Sequence, residues 1–424
     1  MVKIQLLVRN MKILIIADDI TGSLDTGAKF AARGLSADII GIEGFEQKLG
    51  QCGSDVAVIN AESRHLSTED AYKTVFIIVA AASKMGIPVI LKKTDSVLRG
   101  HIGAELEAAA KASGGKKVYL IPAYPDQGRT TVGGRQYLNG IPIDKSGFSK
   151  DMLDPVTESD IVRIIARESD ISAVSLRSGE AVEAYKGSIV ILDAQDAQDM
   201  KCNVRVCLSQ PERPLVFAGC AGLAMELAEA FSDQSCEIPD IEDRSLAVVC
   251  GSCSPVTLRQ LDYAEENGCE RVSFTISELV SRSKSDTYLE RIDRIREICA
   301  LGSTLIIDIS RETVEEYPEM DVQQISREIV DGLSNVVTEC EDALKEYTLL
   351  LTGGDTLSAY MRRNECSRVE LLGEMFPGVA VSRFTFGRSG RTQYIISKSG
   401  GYGSENVVIQ CAKLLKRGTV NEED

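Results

Sequence analysis

One local pattern recurs along the chain and limits what it can fold into. A short apolar run gives way to small or charged residues, and a stretch with helical spacing follows. Residues 11–28 show it first. Ile13 to Ala17 is apolar and β-branched without alternation, which suits a parallel strand buried on both faces. Asp18 and Asp19 come next, and Thr21 and Gly22 open a helix in which Ile20, Leu24 and Ala28 are four residues apart. Either Asp19 or Thr21 suffices as the helix cap. Asp18 and Asp25 are then surplus acids at the carboxyl end of a strand, where open α/β sheets gather their ligands.

Strands are expected at 11–17, 36–41, 55–60, 88–92, 117–121, 188–192 and 214–217, with helices between them, notably over 67–85, 101–112 and 219–231. A polar, acidic stretch over 231–245 contains Pro239 and reads as a boundary. Beyond it the alternation resumes, with strands at 246–250, 271–275, 303–308 and 347–351, extended segments near 379–384 and 392–397, and helices at 255–267, 287–300, 321–344, 356–363 and 404–416. A chain of 424 residues exceeds one compact core. The expected fold class is therefore α/β in two domains, 11–232 and 245–418, each a mostly parallel sheet flanked by helices, with the active site in the interdomain cleft. Residues 122–147 break the rhythm with repeated Gly and Pro and no periodicity. They read as a binding loop presenting Tyr124, Asp126, Arg129, Thr130 and Thr131.

Composition excludes several classes. A net charge of −16 argues against a nucleic-acid partner, and no apolar run is long enough to span a membrane. Residues 1–10 carry no signal-peptide pattern and read as an extension before a fold that starts at Met11, which makes the cytoplasm the expected location. The 12 cysteines show no disulfide framework, and Cys250-Gly-Ser-Cys253 reads as a turn after a strand rather than a redox pair. With only His65 and His101, no histidine-rich metal site is available. His101 at a helix start reads as structural, and His65 is left outside the site.

Several strand ends in the first domain resemble the opening one. They carry Asn60 to Arg64, Lys93-Thr94-Asp95-Ser96, Asp126 to Arg129, and Ala218 to Gly222. Parallel strands deliver these ends to one edge, so Asp18, Asp19, Arg64, Lys93, Asp95 and Arg129 are expected to converge. Salt bridges closing loop ends would account for each residue singly. Their recurrence favours a site for an anionic, hydroxyl-rich molecule, with Arg64 and Lys93 on a carboxylate and Asp18, Asp95 and Ser96 on hydroxyls.

In the second domain, three glycine-containing turns each precede a helix. Gly251-Ser-Cys-Ser254-Pro255 joins a cap to a first-turn proline, Thr352-Gly353-Gly354-Asp355-Thr356 follows a strand, and Ser397 to Ser404 contains Gly400, Gly401, Tyr402 and Gly403. Three such turns in one domain suggest a nucleotide triphosphate, although none matches a Walker or dinucleotide fingerprint. Asp355 is the single acid within them, open to roles as general base, Mg²⁺ ligand or helix cap.

Taken together, these stretches resemble the four-carbon acid sugar kinase family. The motifs are Ala17-Asp-Asp-Ile-Thr-Gly22 with Asp25, Lys93 to Ser96 with Arg99-Gly100, Pro122 to Pro125 with Gly128 to Thr131, Asn139-Gly140, Asp154 to Asp160, Gly251 to Ser254, Thr352 to Asp355, and Lys398 to Gly401, in matching order from Met11 to about Lys416. The resemblance implies an ATP- and Mg²⁺-dependent kinase that phosphorylates a hydroxyl, the terminal C4 one, of D-threonate, D-erythronate or 3-oxo-tetronate. It implies an N-terminal substrate domain using Asp18, Arg64, Lys93, Thr94, Asp95 and Ser96, to which the reading of the strand ends adds Arg129. It also implies a C-terminal nucleotide domain using Ser254, Gly353, Gly354, Asp355, Thr356, Gly400, Gly401, Tyr402 and Gly403. Asp355 and Asp19 are the candidate catalytic carboxylates, and a homodimer is the expected assembly. An ATP-dependent ligase activating a small carboxylate and a non-catalytic sugar-acid sensor stand as alternatives.

Overall fold

Unbroken apolar runs become strands buried along their whole length. The first part of the chain forms β1 (Ile13–Ala17), α1 (Ile20–Ala31), β2 (Ala37–Gly41), α2 (Phe45–Gln51), β3 (Val56–Asn60), α3 (Thr68–Met85), β4 (Val89–Lys93), α4 (Ile102–Ala112) and β5 (Val118–Leu120). It continues with β6 (Arg129–Val132), β7 (Arg135–Leu138), β8 (Ile141–Pro142), α5 (Ile161–Ala166), β9 (Ala173–Leu176), β10 (Ile189–Leu192), α6 (Ala197–Leu208), β11 (Leu215–Gly219) and α7 (Ala221–Phe231). This computed structural model describes residues 11–150, 154–185, 188–238, 241, 244–252, 254–280, 285–311, 322–387 and 390–416. Residues 1–10, Cys253, and the tail from Arg417 lie outside the described residues. The chain divides into two compact units after Cys236.

In the first unit the strand order is β2-β3-β1-β4-β11-β5-β10-β9, with every neighbouring pair parallel. Ile15 lies level with Val58 on one side and Leu91 on the other. Leu14, Ile16, Ile59, Ile90 and Val216 share a core with Val75 and Ile78 of α3 and Leu106 and Ala109 of α4. The ends of β3, β1, β4, β11 and β5 stand side by side along one edge.

The expected unstructured loop over 122–147 instead contains a small antiparallel sheet, β6-β7-β8. Its strands are two to four residues long, too short for alternation to register in the sequence. The Gly133-Gly134 turn has both φ values positive, 59° and 70°, and donates both N–H groups to Asp193 at the end of β10 (2.6 and 3.0 Å).

The second unit contains β12 (Ser245–Cys250), α8 (Pro255–Glu266), β13 (Glu270–Phe274), α9 (Ile276–Val280), α10 (Asp286–Ala300), β14 (Leu305–Ile309), α11 (Val322–Glu339), α12 (Glu341–Leu344) and β15 (Tyr347–Thr352). It ends with α13 (Gly354–Arg363), β16 (Cys366–Phe376), β17 (Val379–Phe386), β18 (Arg391–Lys398) and α14 (Val407–Leu415). The order β13-β14-β12-β15-β18 is parallel, and β17 and β16 extend it in antiparallel fashion. β16 was not expected. Its register against β17 shifts three times, which breaks the period-two signal, and it carries Arg368, Glu370 and Glu374. The expected single helix over 321–344 ends at Glu339, and α12 starts after Cys340.

Candidate active site

In the first unit the edge is built from charge. β1 ends and the chain turns into α1, whose cap is Asp19 rather than Thr21: Asp19 Oδ1 accepts from the Gly22 N–H at 2.6 Å. The other Asp19 oxygen meets an Arg64 terminal nitrogen at 2.5 Å. Arg64 Nε donates to Asp18 Oδ2 at 2.8 Å, and its remaining terminal nitrogen is 4.0 Å from Asp95. Arg64 therefore sits among three carboxylates supplied by the ends of β1 and β4. Gly22 fits closely, since a Cβ there would meet Asp19 Oδ1 at 2.6 Å and Lys93 Nζ at 3.1 Å and would displace the cap or the lysine.

Asp95 is gripped from its own loop. Arg99 donates to both its oxygens at 3.0 and 2.9 Å, and the Val97 N–H adds a bond at 3.1 Å. Burial alone would raise the Asp95 pKa, but Arg99, then Arg64 and Lys93, hold it well below the usual carboxylate range. Asp18 is likewise held low against the effect of burial, by Arg64, Lys92 and Lys93. Burial disfavours the charged forms of Arg64 and Lys93, yet the surrounding acids, Asp18 foremost, keep both pKa values above their ordinary level. These four residues are ionised together at neutral pH.

Beneath them lies a second layer. Lys92, fully buried, pairs with Glu105 of α4 at 2.8 Å, and the Ser63 hydroxyl donates to the same carboxylate at 2.5 Å. This ties the loop that carries Arg64 to α4. Not every polar atom on the edge is satisfied internally. Asp18 Oδ1, Asn60 Oδ1 and Thr94 Oγ1 are buried with no hydrogen-bond partner. Buried acceptors and hydroxyls of this kind are costly unless a ligand meets them, and a polyhydroxy molecule supplies both donors and acceptors. A cavity of about 160 Å³ lies beside Arg99 and Gly100 and is also lined by Asp154 to Glu158.

In the second unit, β12, β15 and β18 are neighbours, so their three terminal turns lie side by side. The Gly251 N–H donates to Thr356 Oγ1 at 3.2 Å, and the Gly353 N–H donates to the Lys398 carbonyl at 3.2 Å. A Cβ on Gly400 would meet Ser252 Oγ at 3.3 Å. Ser254 stands at the cap position of α8, but its hydroxyl donates to the Gly400 carbonyl at 3.0 Å instead of capping. Thr257 binds the same carbonyl at 2.8 Å, and Gln260 donates to the carbonyls of Tyr402, Gly403 and Ser404. The cap of α13 is Gly353, at φ 95°, so Asp355 is not a cap. It is exposed in the first helical turn, where the unpaired N–H groups favour negative charge.

The sequence over residues 13–227 matches the family model described as a sugar-binding N-terminal domain, and residues 247–408 match the nucleotide-binding C-terminal domain. A D-threonate kinase from Salmonella typhimurium is 30% identical over 420 residues, covering 94% of this chain and 97% of its own. The chain belongs to the four-carbon acid sugar kinase family. A D-erythronate kinase from Heliobacterium modesticaldum is 24% identical, with 97% and 98% of the two chains covered. A Haemophilus influenzae protein of the DUF1537 family has the same fold, with a TM-score of 0.70 at 16% identity over 96% of this chain and 99% of its own.

Of the residues expected to converge in the first unit, Asp18, Asp19, Arg64, Lys93 and Asp95 are brought together, with Thr94 between the last two. Ser96 follows at the end of the same loop, its carbonyl 3.5 Å from Gln136 Nε2. Arg129 begins β6 and acts electrostatically on Cys220, as Lys93 does. On the nucleotide side Ser254, Gly353, Gly354, Thr356 and Gly400 are gathered, Asp355 is beside them, and Gly401, Tyr402 and Gly403 complete the turn. Sequence reasoning missed Glu105, Thr257 and Gln260, and gave Lys398 no role. His101 is a strut, as expected, with its ring nitrogens on Glu168 and the Leu66 carbonyl, both at 2.8 Å. Among the described residues all cysteines are free.

Proposed function

We propose that this protein transfers the terminal phosphoryl group of Mg-ATP to the C4 hydroxyl of a four-carbon sugar acid. The observation that carries this reading is the pairing of two complementary sets of groups. One unit has buried, unsatisfied Asp18, Asn60 and Thr94 atoms among ionised side chains, and the other has three glycine-containing turns at the ends of the neighbouring strands β12, β15 and β18, two of which lead directly into α8 and α13. The names of the relatives, D-threonate and D-erythronate kinase, support the substrate class.

Asp18 is better placed than Asp19 to receive a hydroxyl. Both Asp19 oxygens are committed, one to the Gly22 N–H and one to Arg64, whereas Asp18 Oδ1 has no partner. Its depressed pKa makes it a hydrogen-bond acceptor that orients the hydroxyl rather than a strong base. That role suits phosphoryl transfer, in which positioning and charge neutralisation dominate. Lys93 and the outer donors of Arg64 face the substrate carboxylate. On the nucleotide side the turns at 353–356 and 400–403 hold phosphate oxygens. Mg²⁺ neutralises charge on those phosphates when bound. Among the described residues no cluster of three or more His, Cys, Asp or Glu side chains fits a metal, so Asp355 would add one carboxylate to a shell made mainly of phosphate and water.

The test is ADP release with Mg-ATP and a panel of D-threonate, D-erythronate, L-threonate and 3-oxo-tetronate, with phosphorus NMR of the product. No acid-stimulated ADP release with any of them refutes the kinase reading. AMP or an acyl phosphate as product would establish the ligase chemistry instead.

A further inference from the structure

We infer that Lys398 is a positioning residue for the nucleotide: its ammonium shapes the 399–403 turn from beneath and holds the buried positive charge that bound phosphates neutralise. This rests on the nucleotide reading of the second unit.

Lys398 ends β18 and is 2% exposed. Its Nζ donates to the Ser399 carbonyl at 2.9 Å, the Tyr402 carbonyl at 3.2 Å and Thr257 Oγ1 at 3.4 Å. Its own carbonyl accepts from the Gly353 N–H at 3.2 Å. One residue thus joins two of the three glycine turns. By binding the Ser399 and Tyr402 carbonyls from inside, with the Ser399 N–H tied to the Gly378 carbonyl at 3.1 Å and the Tyr402 N–H to the Ser399 carbonyl at 3.2 Å, the ammonium fixes one side of the turn and leaves the Gly401 side to a ligand. A Cβ on Gly401 would meet nothing within 4 Å, so that side is open.

Among the described residues no carboxylate pairs with this charge. None of the three partners is a carboxylate. The titratable groups that act on Lys398 from the packed elements are the Cys250 thiol of β12 and the Cys411 thiol of α14, and α8 contributes only the neutral Thr257 hydroxyl. Lys92, equally buried in the first unit, contrasts with it, because Glu105 stands 2.8 Å away. A buried ammonium supported by dipoles alone is held at a cost. Burial accordingly lowers the Lys398 pKa to about 8. A polyphosphate on the open side of the turn supplies the missing negative charge and restores the protonated form. Lys398 therefore takes up a proton when nucleotide binds in mildly alkaline solution.

The experiment is calorimetric titration of the full chain with ADP from pH 7 to 9, in pairs of buffers with different ionisation heats. ADP is used because it binds without turnover, and its phosphates, with a last pKa of about 6, are fully ionised at pH 8.5, where the uptake is read. With a free value of about 8 and a bound value near that of ordinary lysine, uptake is about 0.1 proton at pH 7 and about 0.75 at pH 8.5, and affinity falls about tenfold by pH 9. Lys398→Met abolishes the uptake and weakens ADP at pH 7 at least tenfold, with the KM for the sugar acid unchanged within twofold. Lys398→Arg keeps affinity at pH 7 and removes the alkaline fall, since guanidinium does not titrate there. ADP binding by the unmodified protein without proton uptake at pH 8.5 overturns the inference, whether or not the Met variant folds. No ADP binding at all in the unmodified protein overturns the nucleotide reading instead.

Discussion

Replacing Arg64 with Ala removes the cation around which Asp18, Asp19 and Asp95 are arranged. Asp18 is 3% exposed and Asp95 7% exposed, so neither carboxylate recovers full hydration when Arg64 leaves. Removing one partner of a buried ion pair costs about 3–5 kcal/mol. Lys93 acts on both acids and Arg99 still grips Asp95, which places the expected loss near about 3 kcal/mol. For a unit of this size each kcal/mol lowers Tm by about 2–4 °C, so the first unit should melt about 6–12 °C lower. The chain has no tryptophan, so scanning calorimetry is the suitable assay. The pH dependence carries the sign. With Arg64 present, the Asp18 pKa is depressed, and that stabilisation is present above the unfolded carboxylate value and lost as pH falls through the folded one. Without Arg64, burial raises the Asp18 pKa, so the variant regains stability relative to the parent as pH falls from 7.5 toward about 4.5. The KM for the sugar acid should rise at least tenfold more than that for ATP. A Tm change below 2 °C at pH 7.5, or a deficit that does not narrow on acidification, would refute the reasoning.

Three further outcomes are expected. Asp355→Asn should lower kcat at least tenfold with Tm unchanged within 2 °C, because Asp355 is exposed and Gly353 is the cap of α13; normal kcat with a lower Tm would return it to a structural role. Gly353→Ala forces a side chain to φ 95°, costing about 1–3 kcal/mol, and should raise the KM for ATP while leaving that for the sugar acid in place, as steady-state kinetics will show. Burial disfavours His101 protonation, but Glu168 and the Leu66 carbonyl outweigh it and raise the pKa. The stability this contributes is complete below the unfolded value of about 6.5 and is lost as pH rises through the higher folded one, so His101→Ala should flatten a Tm-versus-pH curve in that window.

The strands that deliver the site were legible because burial on both faces leaves an uninterrupted apolar run, as in Ile13 to Ala17. The acids and glycines after those runs were legible for the same reason, since a parallel sheet sends every such end to one edge. β16 was illegible because its bulges destroy alternation, and β6 to β8 because strands that short have no period to detect. The role of Arg64 was only half legible. Sequence proximity to the β3 end suggested a hand for the substrate carboxylate, but the fold surrounds it with three acids first. Lys398, Thr257 and Gln260 could not be linked by reading, because their contacts span some 140 residues of chain.

The clamp of α8 on the last glycine turn has a consequence for selectivity. Ser254, Thr257 and Gln260 consume the carbonyl oxygens of Gly400, Tyr402, Gly403 and Ser404. A turn held through its main-chain oxygens keeps one path whatever nucleobase is attached, so on the nucleotide reading this clamp bears on how phosphate is met, and a preference among purine triphosphates is to be sought outside these contacts.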